Sequence, residues 1–153
     1  LVRSDSGNVG DASALAGVLA TASSIEYAAG QPVRAAALAR QAIAADARLP
    51  AETRGGLIVR ENLAEAWRAL GASQCALATS TALPVAQRTE QVTAALALLA
   101  QARAFKQELV ERRIDAREAA SAMEAISAEM QRCGAQQPLI AKPAAAQVAH
   151  GKR

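Results

Sequence analysis

The sharpest hydrophobic pattern in the chain lies toward its C-terminal end, where Ala119, Met123, Ile126, Met130 and Cys133 recur at steps of 4, 3, 4 and 3. That is the a/d spacing of a helix with one narrow apolar seam. A single helix cannot bury such a seam, so the stretch from Pro84 to Cys133 is expected to organise the fold. Pro84 opens a long helix whose inward positions are Val92, Leu96, Leu99, Ala102 and Leu109. Asp115 and Glu118 form the D-x-x-E pattern of a capping box, with Ile114 as the preceding staple residue. A break is therefore predicted at Arg113–Asp115, and Gly134 ends the last helix.

Toward the N-terminus the same helical spacing continues. The first helix is expected to start near Asp11 or Ser13, either of which can cap exposed N–H groups. Its apolar stripe is Leu15, Val18, Leu19, Ala22, Ile25 and Ala29, and Gly30 ends it in the left-handed conformation that glycine tolerates. Pro32 suits the first position of a second helix, with Ala35, Leu38, Ala39, Ala42 and Ile43 inward. So short a connection folds the two helices into an antiparallel hairpin. After Pro50 and Gly55-Gly56, a third helix is predicted from Leu57, with Val59, Leu63, Ala66 and Leu70 inward and Gly71 as its end. A short Ala/Thr/Ser helix carrying Cys75 follows, over 72–83. The expected fold class is all-α, an antiparallel bundle of four to five helices over residues 11–134. Residues 1–10 read as a flexible lead-in and 135–153 as a flexible basic tail.

Part of this pattern resembles a tetratricopeptide repeat. Gly30, Ala35 and Ala42 fall where such a repeat has its turn glycine and second-helix alanines. Leu63, Trp67 and Gly71 resemble the first-helix leucine, aromatic and turn glycine of a following copy. The resemblance covers roughly residues 19 to 83 and implies stacked helical hairpins. The matching glycines are 41 residues apart, against ~34 in that repeat. The second copy also lacks the later alanine-and-aromatic pattern. Any helical hairpin accounts for the same residues, so no family is assigned.

Composition supports helices more than it supports a large core. Of 153 residues 42 are alanine and only 2% are aromatic, which favours helix and lets helices approach closely. A GC-rich bacterial genome would raise alanine and arginine as well. The net charge of +3 comes from the ends: between Asp11 and Cys133 there are 13 basic and 13 acidic residues. A neutral body without interleaved aromatics argues against a nucleic-acid partner. No run approaches the ~18 apolar residues of a membrane span.

Candidate chemistry is sparse. The only histidine, His150, stands in the basic tail, so no Ser-His-Asp, Cys-His or zinc-helix arrangement can be assembled in the body. Glu61 with Glu65 and Glu108 with Arg112 lie four apart, and Glu124 stands nearby, as on solvated helix faces. No catalytic residue, metal ligand or cofactor is assigned, and Met123 and Met130 read as seam residues. The candidate ligand contacts are Glu26, at the margin of an apolar stripe, and the aromatics Tyr27 and Trp67. Cys75 and Cys133, the only two cysteines, are a candidate disulfide; the alternative is two unpaired buried thiols.

The first functional expectation is a non-enzymatic helical module for protein–protein interaction or assembly, an accessory subunit using helix faces to bind a partner or itself. The second is a small-ligand binding or sensing bundle with a pocket near Glu26, Tyr27 and Trp67. A disulfide would imply an oxidising compartment, periplasmic or secreted, with a leader removed before Leu1. Two free thiols would leave a cytoplasmic location.

Overall fold

The computed structural model describes residues 6–79 and 83–136, and all of its regular structure is helical. The helices are α1 (Ser6–Ala28), α2 (Pro32–Ala47), the single turn α3 (Ala51–Arg54), α4 (Leu57–Ala78), α5 (Val85–Glu111) and α6 (Ala116–Gly134). The tail from residue 137, with His150, and residues 1–5 of the lead-in lie outside the described residues. Within that lead-in, residues 6–10 are already helical, so α1 begins before Asp11.

The centre of the molecule is α4, not the α5–α6 pair. It packs against α1, α2, α5 and α6, while α5 and α6 pack on each other and α1 on α2. The sequence explains this position. Val59, Ala64, Ala66, Ala69, Leu70, Gly71, Ala72, Ser73, Cys75 and Ala78 of α4 are all buried, and they cover every side of the helix. Over 69–78 its only polar side chains are Ser73 and Gln74, and a helical stretch that is apolar nearly all round must have neighbours all round. Gly71 was expected to end this helix; instead α4 runs through it to Ala78. A Cβ on Gly71 would stand 2.8 Å from the Ala95 carbonyl oxygen and 2.9 Å from Leu99 Cγ. The glycine is there so that α5 can come close, which is a packing role invisible to a reading by caps alone.

Neighbouring hairpins stack with α1, α4 and α6 running the same way. Gly17 faces Asn62, and Tyr27 shares a cleft with Ala72 and Cys75, so residue numbers rise together along α1 and α4. Arg68 meets Glu129 and Cys75 meets Cys133, giving the same sense for α4 and α6. On one side Ala36, Ala39, Ala69 and Leu70 form the α2–α4 contact, and Ala20, Ala42 and Ala66 close α1 over it. On the other side Leu99, Ala102 and Ile126 join α5 to α6, as do Phe105, Leu109 and Ala119 together with Ala64. Burying a large side chain such as Leu99 or Ile126 contributes about 1.5–3 kcal/mol; the alanines contribute mainly through close backbone approach.

Two turns use the same device. At Gly30 (φ 73°) the N–H of Gln31 bonds the Glu26 carbonyl, and the Gly30 N–H bonds that of Tyr27. At Arg113 (φ 58°) the N–H of Ile114 bonds the Leu109 carbonyl, and the Arg113 N–H bonds that of Val110. Both are Schellman closures. The predicted break at Arg113–Asp115 is therefore present, but not through a capping box. Asp115 is itself left-handed (φ 43°) and its side chain makes no cap hydrogen bond. The staple does form, because Ile114 packs in the cluster containing Ala119.

Candidate functional site

The largest departure from the expected core is on α1. Its inward face is Ala16, Ala20 and Ser23, with Leu19 partly covered. The stripe expected to face inward points outward instead: Leu15 is 53% exposed, Val18 66% and Ile25 63%. Two stripes compete on this helix, one large and one small, and tertiary packing selects the small one. The reason is distance. Ala16 and Ala20 let α1 settle close on α2 and α4, and Gly17 lies so near Asn62 that a Cβ would stand 2.8 Å from its amide nitrogen. Leucine, valine and isoleucine in those places would hold the helices apart.

No charged residue occurs between Asp11 and Glu26, so the outward face of α1 has no ionic group over four turns. Val33, at the turn end of the same hairpin, is 66% exposed. Beside it the Arg34 guanidinium lies 3.2 Å from the Glu26 carboxylate. Glu26 is thus held at the flank of α1 by a surface ion pair, a contact of small energetic weight.

The three residues expected to share one ligand pocket are separated. Glu26 belongs to the α1 flank. Tyr27 lines a cleft of about 120 Å³ with Ala72, Cys75, Ala76, Glu129, Arg132 and Gln136. Burial, and then the negative charge of Glu129, push the Tyr27 hydroxyl above its ordinary range. Trp67 packs on both α5–α6 core clusters and shows one side to an open groove of about 300 Å³. That groove is completed by Arg60, Leu63, Gln101, Ala104, Phe105 and Glu108.

Polar groups in these grooves are largely committed to one another. Arg68 donates through Nε (3.1 Å) and Nη2 (2.8 Å) to Glu129, which is only 8% exposed. Arg60 grips Glu108 in the same two-pronged way, one contact being 2.9 Å, and Arg112 adds a third at 3.0 Å. Hydrogen bonds from Arg60 and then Arg112 hold the Glu108 carboxyl down at about 2. The Arg60 guanidinium also sits 5.0 Å from the Phe105 ring centre. Lys106 pairs with Glu61 at 3.0 Å, and Ser24 donates to Glu65. These pairs join residues 41 to 61 positions apart, so the i,i+4 spacing used on the sequence could not find them, save Glu108–Arg112.

Cys75 and Cys133 are brought together at disulfide distance, with their Cα atoms 5.6 Å apart across 58 residues of chain. The pair ties α4 to α6 beside the Tyr27 cleft. Among the described residues no three His, Cys, Asp or Glu side chains cluster as a metal site would, and no helix is long and apolar enough to cross a membrane. Comparison with protein-family models, with curated proteins and with solved structures gives no match.

Proposed function

We propose that the protein is a non-enzymatic helical interaction module that presents the outward face of α1 to a partner helix. The observation that carries this reading is the row Leu15, Val18 and Ile25, each more than half exposed, on a face with no charge between Asp11 and Glu26. Single exposed apolar residues are ordinary on protein surfaces, whereas an aligned set without ionic groups marks a surface that is covered in use. The committed ion pairs elsewhere leave little free acid–base chemistry, which favours a binding role over a catalytic one. The disulfide-distance cysteines favour an oxidising compartment, periplasmic or secreted.

The test is protection of the face in the cells that make the protein. A Val18→Cys variant should react with a maleimide when purified and diluted, yet be protected in those cells. Gln87→Cys, on the exposed side of α5, should react in both. Equal labelling of the two in cells would sink the reading.

A second reading, small-ligand binding, rests on the Trp67 groove, whose 300 Å³ stands at the lower end of ligand-site volumes. Trp67 is the only tryptophan, so its emission reports directly on the groove. A concentration-dependent change with an apolar probe such as anilinonaphthalene sulfonate, lost in Ala104→Phe, would support it.

A further inference from the structure

We infer that Cys75 is the point at which the Cys75–Cys133 link is opened, by a small thiol that carries an anionic group and enters through the Tyr27 cleft. The inference is independent of the α1 reading and rests on the link being closed in the resting protein. Three observations carry it.

The first is asymmetry of access. Both sulfurs belong to one apolar cluster with Ala78, Val92 and Ala95, yet only Cys75 lines the cleft. Cys75 is 7% exposed and Cys133 0%. A disulfide is cleaved by a thiolate that strikes one sulfur and expels the other. The open side of this pair makes Cys75 Sγ the struck sulfur and Cys133 Sγ the leaving one.

The second is the nature of the cover. Cys75 Sγ stands 3.6 Å from the side-chain oxygen of Gln136. Gln136 lies just past Gly134, the last residue of α6, and is itself partly exposed. A long, rotatable side chain beyond a helix end is easily displaced. Cys133, by contrast, packs with Val92 and Ala95 of α5, which yield only if a helix moves.

The third is size and charge. The cleft holds about 120 Å³, the space of a few water molecules, which suits a thiol of few heavy atoms. Two charged residues line it. Glu129 is taken by Arg68, whereas Arg132 is exposed and makes no ion pair among the described residues. An exposed guanidinium at the mouth raises the local concentration of anions, so it favours a thiolate that bears a carboxylate or sulfonate.

The exchange balances without a further reactant. The incoming thiolate bonds to Cys75 Sγ as the Cys75–Cys133 bond breaks. The electron pair goes to Cys133 Sγ, which takes up the proton the thiol gave up. A second thiolate then attacks the small thiol's sulfur in the adduct and releases Cys75, so two thiols become one small disulfide and the protein link gains two electrons. Opening removes the covalent tie of α6 to α4 and leaves α6 held through Leu99, Ala102 and Ile126 and through the Arg68–Glu129 pair.

Mapping the first product tests this. The whole chain is treated with mercaptoethanesulfonate, quenched early in acid, alkylated with N-ethylmaleimide in denaturant and analysed by mass spectrometry. The expected product carries the small thiol on Cys75 and the maleimide on Cys133. The reverse distribution or an even mixture overturns the inference, as does a chain that takes up two maleimides before any thiol is added. Along the series mercaptoethanesulfonate, mercaptoethanol and cysteamine, the opening rate per thiolate should fall about threefold at each step at low salt, and Arg132→Gln should level it. Rates that ignore charge, or that follow it unchanged in Arg132→Gln, overturn the assignment of an anionic thiol. Folded Cys133→Ser should react with dithiobis(nitrobenzoate) about tenfold faster than folded Cys75→Ser, and the two should match in denaturant. Equal folded rates overturn the inference; if either variant fails to fold, the mapping of the unsubstituted chain decides.

Discussion

Among the described residues α1 and α6 are the two edge helices of the stack; both flank α4, and their outer faces are opposite in character. The buried side of α6 carries Ala119, Ile126 and Cys133, with Met123 and Met130 partly covered. Its outer side carries Arg117, Glu118, Glu124, Gln131 and Arg132, all exposed. Its outer face is thus the polar, solvated face of an ordinary amphipathic helix. α1 is nearly the reverse, with alanine and serine inward and Leu15, Val18 and Ile25 outward. The difference teaches that helical spacing alone does not say which stripe of a helix the rest of the chain buries.

The largest effect expected from this contrast is at the cysteines. A link between α4 and α6 encloses 58 residues, so Cys133→Ser should cost roughly 4 kcal/mol of stability by the loop-entropy relation. A denaturant titration with and without reductant reads it; a variant whose midpoint matches the parent in both would show that the two sulfurs are not bonded in solution.

Next comes the isoleucine on each edge. Ile126 is 1% exposed and Ile25 63%. Ile126→Ala should cost about 2–5 kcal/mol, whereas Ile25→Ala in dilute, monomeric protein should stay within about 0.5 kcal/mol. Comparable losses at the two sites would mean that α1 folds back with its large residues inward.

The two Schellman turns give smaller effects of opposite sign. Gly30→Ala forces a side chain into a left-handed position and should destabilise by about 1 kcal/mol. Arg113→Gly relieves the same conflict before α6 and should stabilise by up to about 1 kcal/mol. Asp115→Ala removes no cap hydrogen bond, since none is made; its effect should follow the left-handed backbone alone, and Asp115→Gly should be the more stable of the two. Thermal midpoints rank all four variants.

The pH dependence separates the halves as well. Glu108, between α4 and α5, has its carboxyl held down to about 2 by Arg60 and Arg112. Its contribution is present above the unfolded value near 4.5 and is lost as pH falls toward 2. Asp46, under α1, is buried and pushed upward, with Arg54 offsetting this in part. That contribution is greatest in acid and is lost as pH rises through the folded value. Asp46→Asn should therefore raise the thermal midpoint at pH 7 and lose that advantage in acid. Glu108→Gln should lower the midpoint at pH 7 and converge on the parent near pH 2. A midpoint difference independent of pH in either variant would show that the charge is not what matters.

What the sequence determined by itself is the local part. Helical spacing, Pro32 and Pro84 at helix starts, Gly30 at a turn and the seam of α6 all act within a few residues, and each is realised. The sequence left two alternatives for Cys75 and Cys133, a bond or two unpaired thiols, and it is the packing of α6 on α4 and α5 that brings them to disulfide distance across 58 residues. Tertiary structure alone decided which stripe of α1 is buried, because two stripes of helical period compete there and interhelical distance selects alanine over leucine. It also decided that Gly71 is a contact and not an end. Likewise it paired Arg68 with Glu129 and Arg60 with Glu108, across separations that no local spacing encodes. Glu26, Tyr27 and Trp67 fell into three different places for the same reason. Helical periodicity fixes a side chain's angle around its own axis, and only the packing of axes against one another fixes which side chains meet.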